Sequence, residues 1–267
     1  MLGLGNNIRA NSYSSSSSWT PASLSNLTLW LAFNQNITAD QAADNSSITR
    51  STAAGDMVDQ DKINAWNAFG DTSINATQTT QADKPLWEAD AADVGCVNFH
   101  DGTKHMDLSE DLVLDASTDF TIAIRFKPDD FSSRVLFGDT TSEFVRLNSN
   151  TVIRLRVNAG NTDFTLASSN IATDKYITLL IVRSDGATGN VNLFIRGADS
   201  GYFDGTATGT QFGSEAQSTG EITLSNIGAS ADNTAELHAF VKDILVWDGT
   251  AASSAEREQI FDYIEGQ

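Results

Sequence analysis

Paired carboxylates are the first side chains of this sequence to consider for chemistry. Hydrolysis of a glycosidic bond uses two carboxyl groups facing the bond, and a strand reading Glu-x-Asp-x-x-Glu can supply them from one face. That spacing does not occur in the chain. Asp107 and Glu110 stand three positions apart, and we expect Asp107 at a strand end and Glu110 in a polar loop, as a surface pair. The sequence therefore predicts a protein that is not an enzyme.

Histidine and cysteine are the next candidates, since they serve as nucleophiles, bases and metal ligands. His100 and His105 flank a short turn and could form a ligand pair, although ordinary turn and strand positions explain them better. His238 has no nearby partner in sequence except Glu236. The single cysteine, Cys96, excludes an intrachain disulfide and is expected to be a buried small hydrophobic residue.

Calcium is the cation most compatible with an acidic chain, because it binds several carboxylate and carbonyl oxygens. The loop pairs that could contribute are Asp59 with Asp61, Asp90 with Asp93, and Asp129 with Asp130. None of them reads as an EF-hand, and solvated turns explain each pair better. No metal ion and no other cofactor is assigned.

Aromatic side chains beside polar groups indicate sugar binding when they are exposed. Trp87 and Tyr202 are the two aromatic residues predicted to be exposed and to contact carbohydrate. Trp66 is assigned to the core instead.

The charge of the chain restricts its partners. The 267 residues include 35 acidic and 16 basic residues, a net charge of -19. Such a surface repels phosphate backbones and anionic lipid headgroups, so neither nucleic acid nor a membrane is expected as a partner.

The first eighteen residues differ in composition from the rest. Residues 1–18 are Gly/Ser-rich, with five consecutive serines, and predict a flexible or extended arm before a domain at 19–267. They lack the charged start and apolar stretch of a secretory signal, so cytoplasmic synthesis is expected.

The clearest strand is Asp119 to Pro128. Its alternating apolar residues predict one face in the core, with Thr121, Arg125 and Lys127 on a face that meets water. Many such strands with short polar links predict a single all-β, antiparallel jelly-roll sandwich. Further strands are predicted at Leu27 to Phe33, Val94 to Phe99, Arg134 to Gly138, Phe144 to Leu147, Thr151 to Val157, Lys175 to Arg183, Val191 to Gly197, Glu221 to Asn226 and Leu237 to Trp247.

One helix is predicted, at the end of the chain. Ser253 and Glu256 form a capping-box pattern, and Ile260, Phe261 and Ile264 follow as an apolar stripe. We expect this helix to lie across an edge or close one end of the sandwich.

Several short motifs together resemble a known family. They are Trp19-Thr20-Pro21-Ala22 with Leu29-Trp30-Leu31, Trp66-Asn67 with Ala76-Thr77-Gln78 and Lys84-Pro85, Phe99 with Asp101-Gly102, Ile227-Gly228-Ala229, Asp243 to Asp248, and Ser254 to Arg257. Over residues 19 to 265 the chain resembles laminin-G-like, concanavalin A-like jelly-roll proteins of phage and environmental bacteria. It departs from their pattern at Ala68, Gly70-Asp71 and Ala239, which fall in loops and turns.

The resemblance implies a function. It predicts a virion structural protein of a phage, on the virion surface, that decorates the capsid or forms part of a fibre or spike. Its partners would be the major capsid protein or other virion proteins, and particle symmetry would hold copies as a homo-oligomer. The alternative is a carbohydrate-binding adhesion module for cell-surface or environmental glycans, and one protein can combine both roles.

Overall fold

The computed structural model describes most of the chain beyond residue 18. The described residues are 19–33, 35–40, 49–53, 55–89, 95–100, 103–157, 160–166, 171–173, 175–184, 190–197, 209–216, 220–230 and 236–266. They form eighteen strands, one 3₁₀ turn (Pro21–Ser23) and one α-helix. The predicted arm at 1–18 lies outside the described residues.

The first sheet has six antiparallel strands. In sheet order they are β1 (Leu27–Leu31), β18 (Ala239–Asp248), β9 (Phe120–Pro128), β14 (Ile177–Arg183), β15 (Asn190–Gly197) and β16 (Thr210–Ala216). Every residue of β14 is buried, as its apolar residues on both faces predicted for a central strand.

The main part of the second sheet has seven antiparallel strands. In sheet order they are β5 (Ala76–Thr77), β8 (Met106–Leu114), β17 (Ile222–Ile227), β10 (Arg134–Gly138), β11 (Phe144–Ser149), β12 (Val152–Val157) and β13 (Gly160–Thr165). Beyond β5 it continues through β4 (Lys62–Trp66), β2 (Ile37–Asp40) and β3 (Thr49–Ser51). Two short strands, β6 (Leu86–Glu88) and β7 (Cys96–Asn98), connect β4 to β18 of the first sheet.

The main core lies between the two sheets. Phe126 of β9 and Ile181 of β14 share it with Phe137 of β10 and Leu155 of β12, all almost fully buried. Each strand supplies alternate residues to this layer, as the period of two requires. The predicted class, an all-β antiparallel sandwich with a C-terminal helix, is confirmed.

The other face of the first sheet is also covered, contrary to the prediction for Asp119 to Pro128. Thr121 is 0% exposed and Arg125 7% exposed. They are covered because helix α1 (Ser254–Glu265) lies on this face and forms a second apolar cluster with it. A strand pattern shows which residues share a face, but not what packs on that face.

The predicted capping box of α1 is confirmed. The Ser253 amide donates to Glu256 Oε2 at 2.7 Å, and the Glu256 amide donates to Ser253 Oγ. Ile260, Phe261 and Ile264 are buried, as their spacing predicted. No helix in the described part of the chain is long and apolar enough to cross a membrane.

The short strands near the N-terminus and strand β8 were not predicted. Glu110, expected in a loop, lies within β8, most of whose residues are at least partly exposed. Its alternate residues Met106, Leu112 and Leu114 are buried, and Glu110 interrupts the apolar pattern on their face.

Candidate functional site

Strands β11 to β13 carry a group of mostly polar side chains on the outer side of the second sheet, which we call the arginine face. Its members are Phe144, Arg146, Asn148, Arg154, Arg156, Asn161 and Asp163. Antiparallel register sets the arrangement: Arg146 lies opposite Arg154, Phe144 opposite Arg156, and Asp163 opposite Arg154. The alternate residues, such as Val145 and Leu155, are buried in the core.

The three guanidinium groups of the arginine face have unequal partners. Arg154 donates from Nε and Nη2 to the two carboxylate oxygens of Asp163, at 2.5 and 2.6 Å. Arg146 donates from Nη2 to the Asn148 amide oxygen at 3.0 Å. The guanidinium carbons of Arg146 and Arg156 lie 4.5 and 5.7 Å from the centroid of the Phe144 ring. One of the three charges is therefore neutralised by a carboxylate.

The pKa values of Arg146 and Asp163 reflect the excess of positive charge on the arginine face. Burial lowers the pKa of Arg146, and the positive charges of Arg154 and Arg156 lower it further, while Asp163 acts in the opposite direction. The hydrogen bonds from Arg154 lower the pKa of Asp163, which therefore stays ionised. Like charges directly opposite each other on two strands destabilise a sheet, so Arg146 and Arg154 are an unfavourable neighbour pair.

Two polar atoms of this face have no partner. Arg146 Nε and Arg156 Nε are buried and have no hydrogen-bond partner among the described residues. Such atoms are uncommon in folded proteins and call for an explanation. The side chains as a whole are only half-buried, so their outer nitrogens can meet a ligand.

The charged groups of the first sheet have a structural role instead. Arg196 donates to Asp262 at 2.9 Å and to Glu265 at 2.8 Å, both on helix α1. Arg125 Nη1 donates to the Ile264 carbonyl oxygen at 2.6 Å, at the C-terminal end of the same helix. Arg196 and Arg125 therefore hold α1 on the sheet, and their hydrogen-bond acceptors are groups of the protein itself.

Each of the three histidines has its own surroundings. His100 pairs with Asp129, with 2.5 Å between Nδ1 and Oδ2, and its ring centroid lies 5.6 Å from that of His238. Burial lowers the pKa of His238, and the charges of Arg134 and His100 lower it further. His105 instead contacts the Thr103 carbonyl oxygen through Nδ1 at 2.8 Å.

His100 and His105, which were considered as a possible ligand pair, therefore lie in two different polar environments. Within the described ranges, no group of three or more His, Cys, Asp or Glu side chains could hold a metal ion.

The candidate calcium ligands lie in different hydrogen-bonding environments. Asp61 is buried and binds Arg50 at 3.2 Å, while Asp59 accepts from the Ala89 amide at 3.1 Å, which lowers its pKa. Asp130 accepts from Arg134, and this pairing holds its pKa far below the usual range. These aspartates thus have partners within the protein, and the predicted pair Asp90 and Asp93 lies outside the described residues.

Of the two predicted aromatic sugar contacts, one lies within the described residues. Trp87 lies on β6 with 7% of its surface exposed, so its predicted exposure is wrong. Its side chain packs in the main hydrophobic core. Tyr202 lies outside the described residues. Trp66 is fully buried and donates from Nε1 to the Ala32 carbonyl oxygen at 2.9 Å, which confirms its assignment to the core. Cys96 is buried, as predicted.

The fold and the arginine face together define a β-sandwich protein with a polar, cationic sheet surface. The family model described as the Concanavalin A-like lectin/glucanases superfamily, Laminin_G_3, matches residues 100–256. The match covers more than half of the chain, which therefore belongs to this family. No curated protein matches the chain.

Solved structures show the same fold. A GH54 α-L-arabinofuranosidase soaked with a cyclic sulfate inhibitor has a TM-score of 0.57 and 11% identity, over 90% of this chain and 61% of that chain. An arabinofuranosidase complexed with arabinofuranosyl-alpha-1,2-xylobiose has a TM-score of 0.57 and 10% identity, over 89% and 60%. The chain thus spans about 60% of these two structures.

A sialidase CBM40 from Ruminococcus gnavus, bound to alpha2,3 sialyllactose, has a TM-score of 0.39 and 13% identity, over 60% of this chain and 99% of that chain.

The arginine face was not predicted as a site. Arg154 and Arg156 belong to the recognised strand Thr151 to Val157, where they mark its polar side. Arg146 belongs to the preceding strand, and only the pairing of β11 with β12 brings it beside them. The sequence did contain a signal for this site: arginines stand on the polar side of two consecutive predicted strands, Arg146 on the first, and Arg154 and Arg156 on the second.

Proposed function

We propose that the chain is a non-enzymatic carbohydrate-binding module and that its contact surface is the arginine face. The observation that carries the proposal is the row of planar hydrogen-bonding groups formed by Arg146, Arg154 and Arg156 with the amides Asn148 and Asn161. Membership of a lectin and glucanase superfamily supports carbohydrate as the ligand class.

A sheet surface of this kind suits a polysaccharide. Sugar hydroxyls both donate and accept, and a fixed set of guanidinium donors and amide groups can match several of them at once. Strands hold these side chains more rigidly than loops do, which lowers the entropy lost on binding. The face therefore favours recognition of a repeating ligand over chemistry on it.

Glycoside hydrolysis needs a second carboxyl group, which the arginine face lacks. Hydrolysis of a glycoside uses two carboxyl groups with different protonation states. Asp163 is the one carboxylate among the members of the arginine face, and Arg154 keeps it ionised. We propose that a bound glycan is released unchanged.

The experiment is affinity electrophoresis of the purified chain through gels that contain one polysaccharide each. Asn148→Ala with Asn161→Ala removes two neutral polar groups from the arginine face, and Val58→Ala is the control at an exposed position outside this face. We expect retardation of the natural chain and the control, and weaker retardation of the double variant. Loss of binding in the control alone, or equal binding by all three proteins, would exclude this face.

The absence of turnover is tested with the same polysaccharides. They are incubated with the chain, and new reducing ends are measured. No increase above a buffer control is expected, whereas release of sugar would overturn the non-enzymatic part of the proposal.

We further propose that the module is carried on the surface of a phage particle. The support is the resemblance of residues 19 to 265 to phage and environmental sequences. Mass spectrometry of purified particles tests it directly, and consistent absence of the chain from them would remove the virion assignment while leaving glycan binding untouched.

A further inference from the structure

We infer that the arginine face recognises acidic sugars, with a carboxylate or a sulfate ester held by Arg146 and Arg156. This inference rests on the proposed glycan binding and adds the charge of the ligand. Its starting point is the charge count on the face, which contains three guanidinium groups and one carboxylate.

Arg154 is the arginine that the protein neutralises. Its paired hydrogen bonds to Asp163 occupy both oxygens of that carboxylate. Arg146 and Arg156 have only a neutral amide and the Phe144 ring as neighbours of known geometry. Two positive charges therefore remain without an anion from the described residues of this face.

Other arginines of the described fold have acceptors within the protein. Arg50 pairs with Asp61 and Arg196 with Glu265, whereas Arg125 and Arg183 donate to backbone carbonyl oxygens. Acidic residues outnumber basic ones by 35 to 16, so carboxylates are the commonest charged groups available to pair with an arginine. A face that keeps two guanidinium groups unpaired in such a chain is complementary to an external anion.

The dimensions of the site favour a sugar over a dense polyanion. Strands in a sheet lie about 4.8 Å apart and alternate residues about 7 Å apart, so the face measures about 10 Å across its three strands and about 14 Å along β11 from Phe144 to Asn148. That area accommodates one or two sugar rings with one acidic group each. Duplex DNA carries a charge about every 1.7 Å of its axis, and the net charge of -19 would repel its neighbouring phosphates.

Phe144 keeps the two guanidinium groups in place. Its side chain is 3% exposed, and both groups lie over its ring, which leaves their outer nitrogens for a ligand. Arginine forms two parallel hydrogen bonds with a carboxylate or a sulfate, a geometry that lysine lacks. Replacement by lysine should therefore weaken binding even though the charge is kept.

The experiment is titration calorimetry of the full chain with two matched pairs of oligosaccharides. Oligogalacturonate is compared with its methyl ester, and a sulfated galactan with its desulfated form, so each pair shares its sugar backbone and differs at the acidic group. Arg146→Gln with Arg156→Gln removes both unpaired charges. Arg156→Lys keeps both charges but replaces one guanidinium group by an ammonium group, and Lys62→Gln on β4 is the charge-removing control outside the face. Thermal unfolding confirms that every variant is folded.

We expect an acidic member to bind and its neutral partner to bind at least about tenfold more weakly. The double glutamine variant should lose about tenfold or more, Arg156→Lys an intermediate amount, and Lys62→Gln nothing. Weaker binding at 0.5 M than at 0.05 M salt should accompany this. The ligand's acidic group is a carboxylate if the oligogalacturonate pair shows this difference in affinity, and a sulfate ester if the galactan pair shows it.

Other outcomes separate the two proposals. Equal binding of acidic and neutral sugars, still lost in the arginine variants, would overturn acidic recognition and leave the proposed function intact. Binding of no sugar would overturn both. Arginine-dependent binding of a DNA duplex as tight as that of any sugar would overturn the assignment to carbohydrate.

Discussion

Replacement of Asp243 by asparagine should stabilise the protein at neutral and alkaline pH. Asp243 lies on β18 at a bulge between Val241 and Ile244 and is 1% exposed. Its Oδ2 atom is buried without a hydrogen-bond partner among the described residues. Burial raises the pKa of Asp243 to about 7, although the positive charge of Arg125 acts in the opposite direction.

The sign of the pH dependence follows from the raised pKa. Below the ordinary value of 3.8, the carboxyl is protonated in the folded and unfolded chains and costs nothing. Between 3.8 and about 7 the folded chain binds more protons than the unfolded chain, so the free energy of unfolding falls as the pH rises. Above about 7 the full cost of a buried carboxylate remains.

The magnitude follows from the same two values. At about 1.4 kcal/mol per pH unit, the full interval corresponds to about 4 kcal/mol, and the interval from about pH 5 to about pH 7 to about 3 kcal/mol. An asparagine side chain cannot ionise, and the pH-independent effects of the substitution cancel when the variant and the natural chain are compared at two pH values. The advantage of Asp243→Asn should therefore be about 3 kcal/mol larger at about pH 8 than at about pH 5.

The assay is urea unfolding followed by tryptophan fluorescence at about pH 5 and about pH 8, both above the isoelectric point near 4.2. Asp111→Asn, at an exposed position of β8, is the control and should show a much smaller change. An advantage of Asp243→Asn that stays constant within about 0.5 kcal/mol between the two pH values would refute the reasoning.

Three further substitutions test the fold. Arg183→Met should destabilise the protein by about 3 kcal/mol in urea unfolding, since the 1%-exposed guanidinium donates to three backbone carbonyls that would lose their donors; an unchanged midpoint would contradict this. Ser253→Ala should cost about 1 kcal/mol by removing the α1 cap, with Ser253→Thr as the conservative control, and equal stability of all three proteins would argue against a role for the cap. Gly228→Ala should lower the melting temperature and cost about 2 kcal/mol, because φ is +83° and a Cβ atom would lie 2.8 Å from Phe99; a stabilised variant would show that the turn has another conformation.

Strands with strong alternation were predictable, and weakly patterned ones were not. Thr151 to Val157 has apolar residues at every second position, and the structure places Val152–Val157 in a strand with that burial pattern. Met106–Leu114 is a strand of nine residues whose alternation is weakened by Glu110 on its inner face and by the exposed Val113 on its outer face. Backbone pairing with β17 and β5, which has no signature in sequence, holds it in place.

The candidate site was less predictable than the fold. Trp87 was expected on the surface as an aromatic residue of a loop or strand end, but β6 places it in the core. Arg146 had no recognisable role until β11 was paired with β12. Residues that are far apart in sequence become neighbours by strand pairing, and a linear pattern contains no information about which strands pair.

The sequence by itself determined the sandwich class, the capped C-terminal helix and the buried positions of Trp66 and Cys96. These properties depend on local alternation, capping and hydrophobicity, which act over a few residues. The tertiary structure alone decided that α1 covers the outer face of the first sheet and that three arginines meet beside a single carboxylate on the second. Both depend on long-range strand order, because the partners of a side chain come from distant parts of the chain.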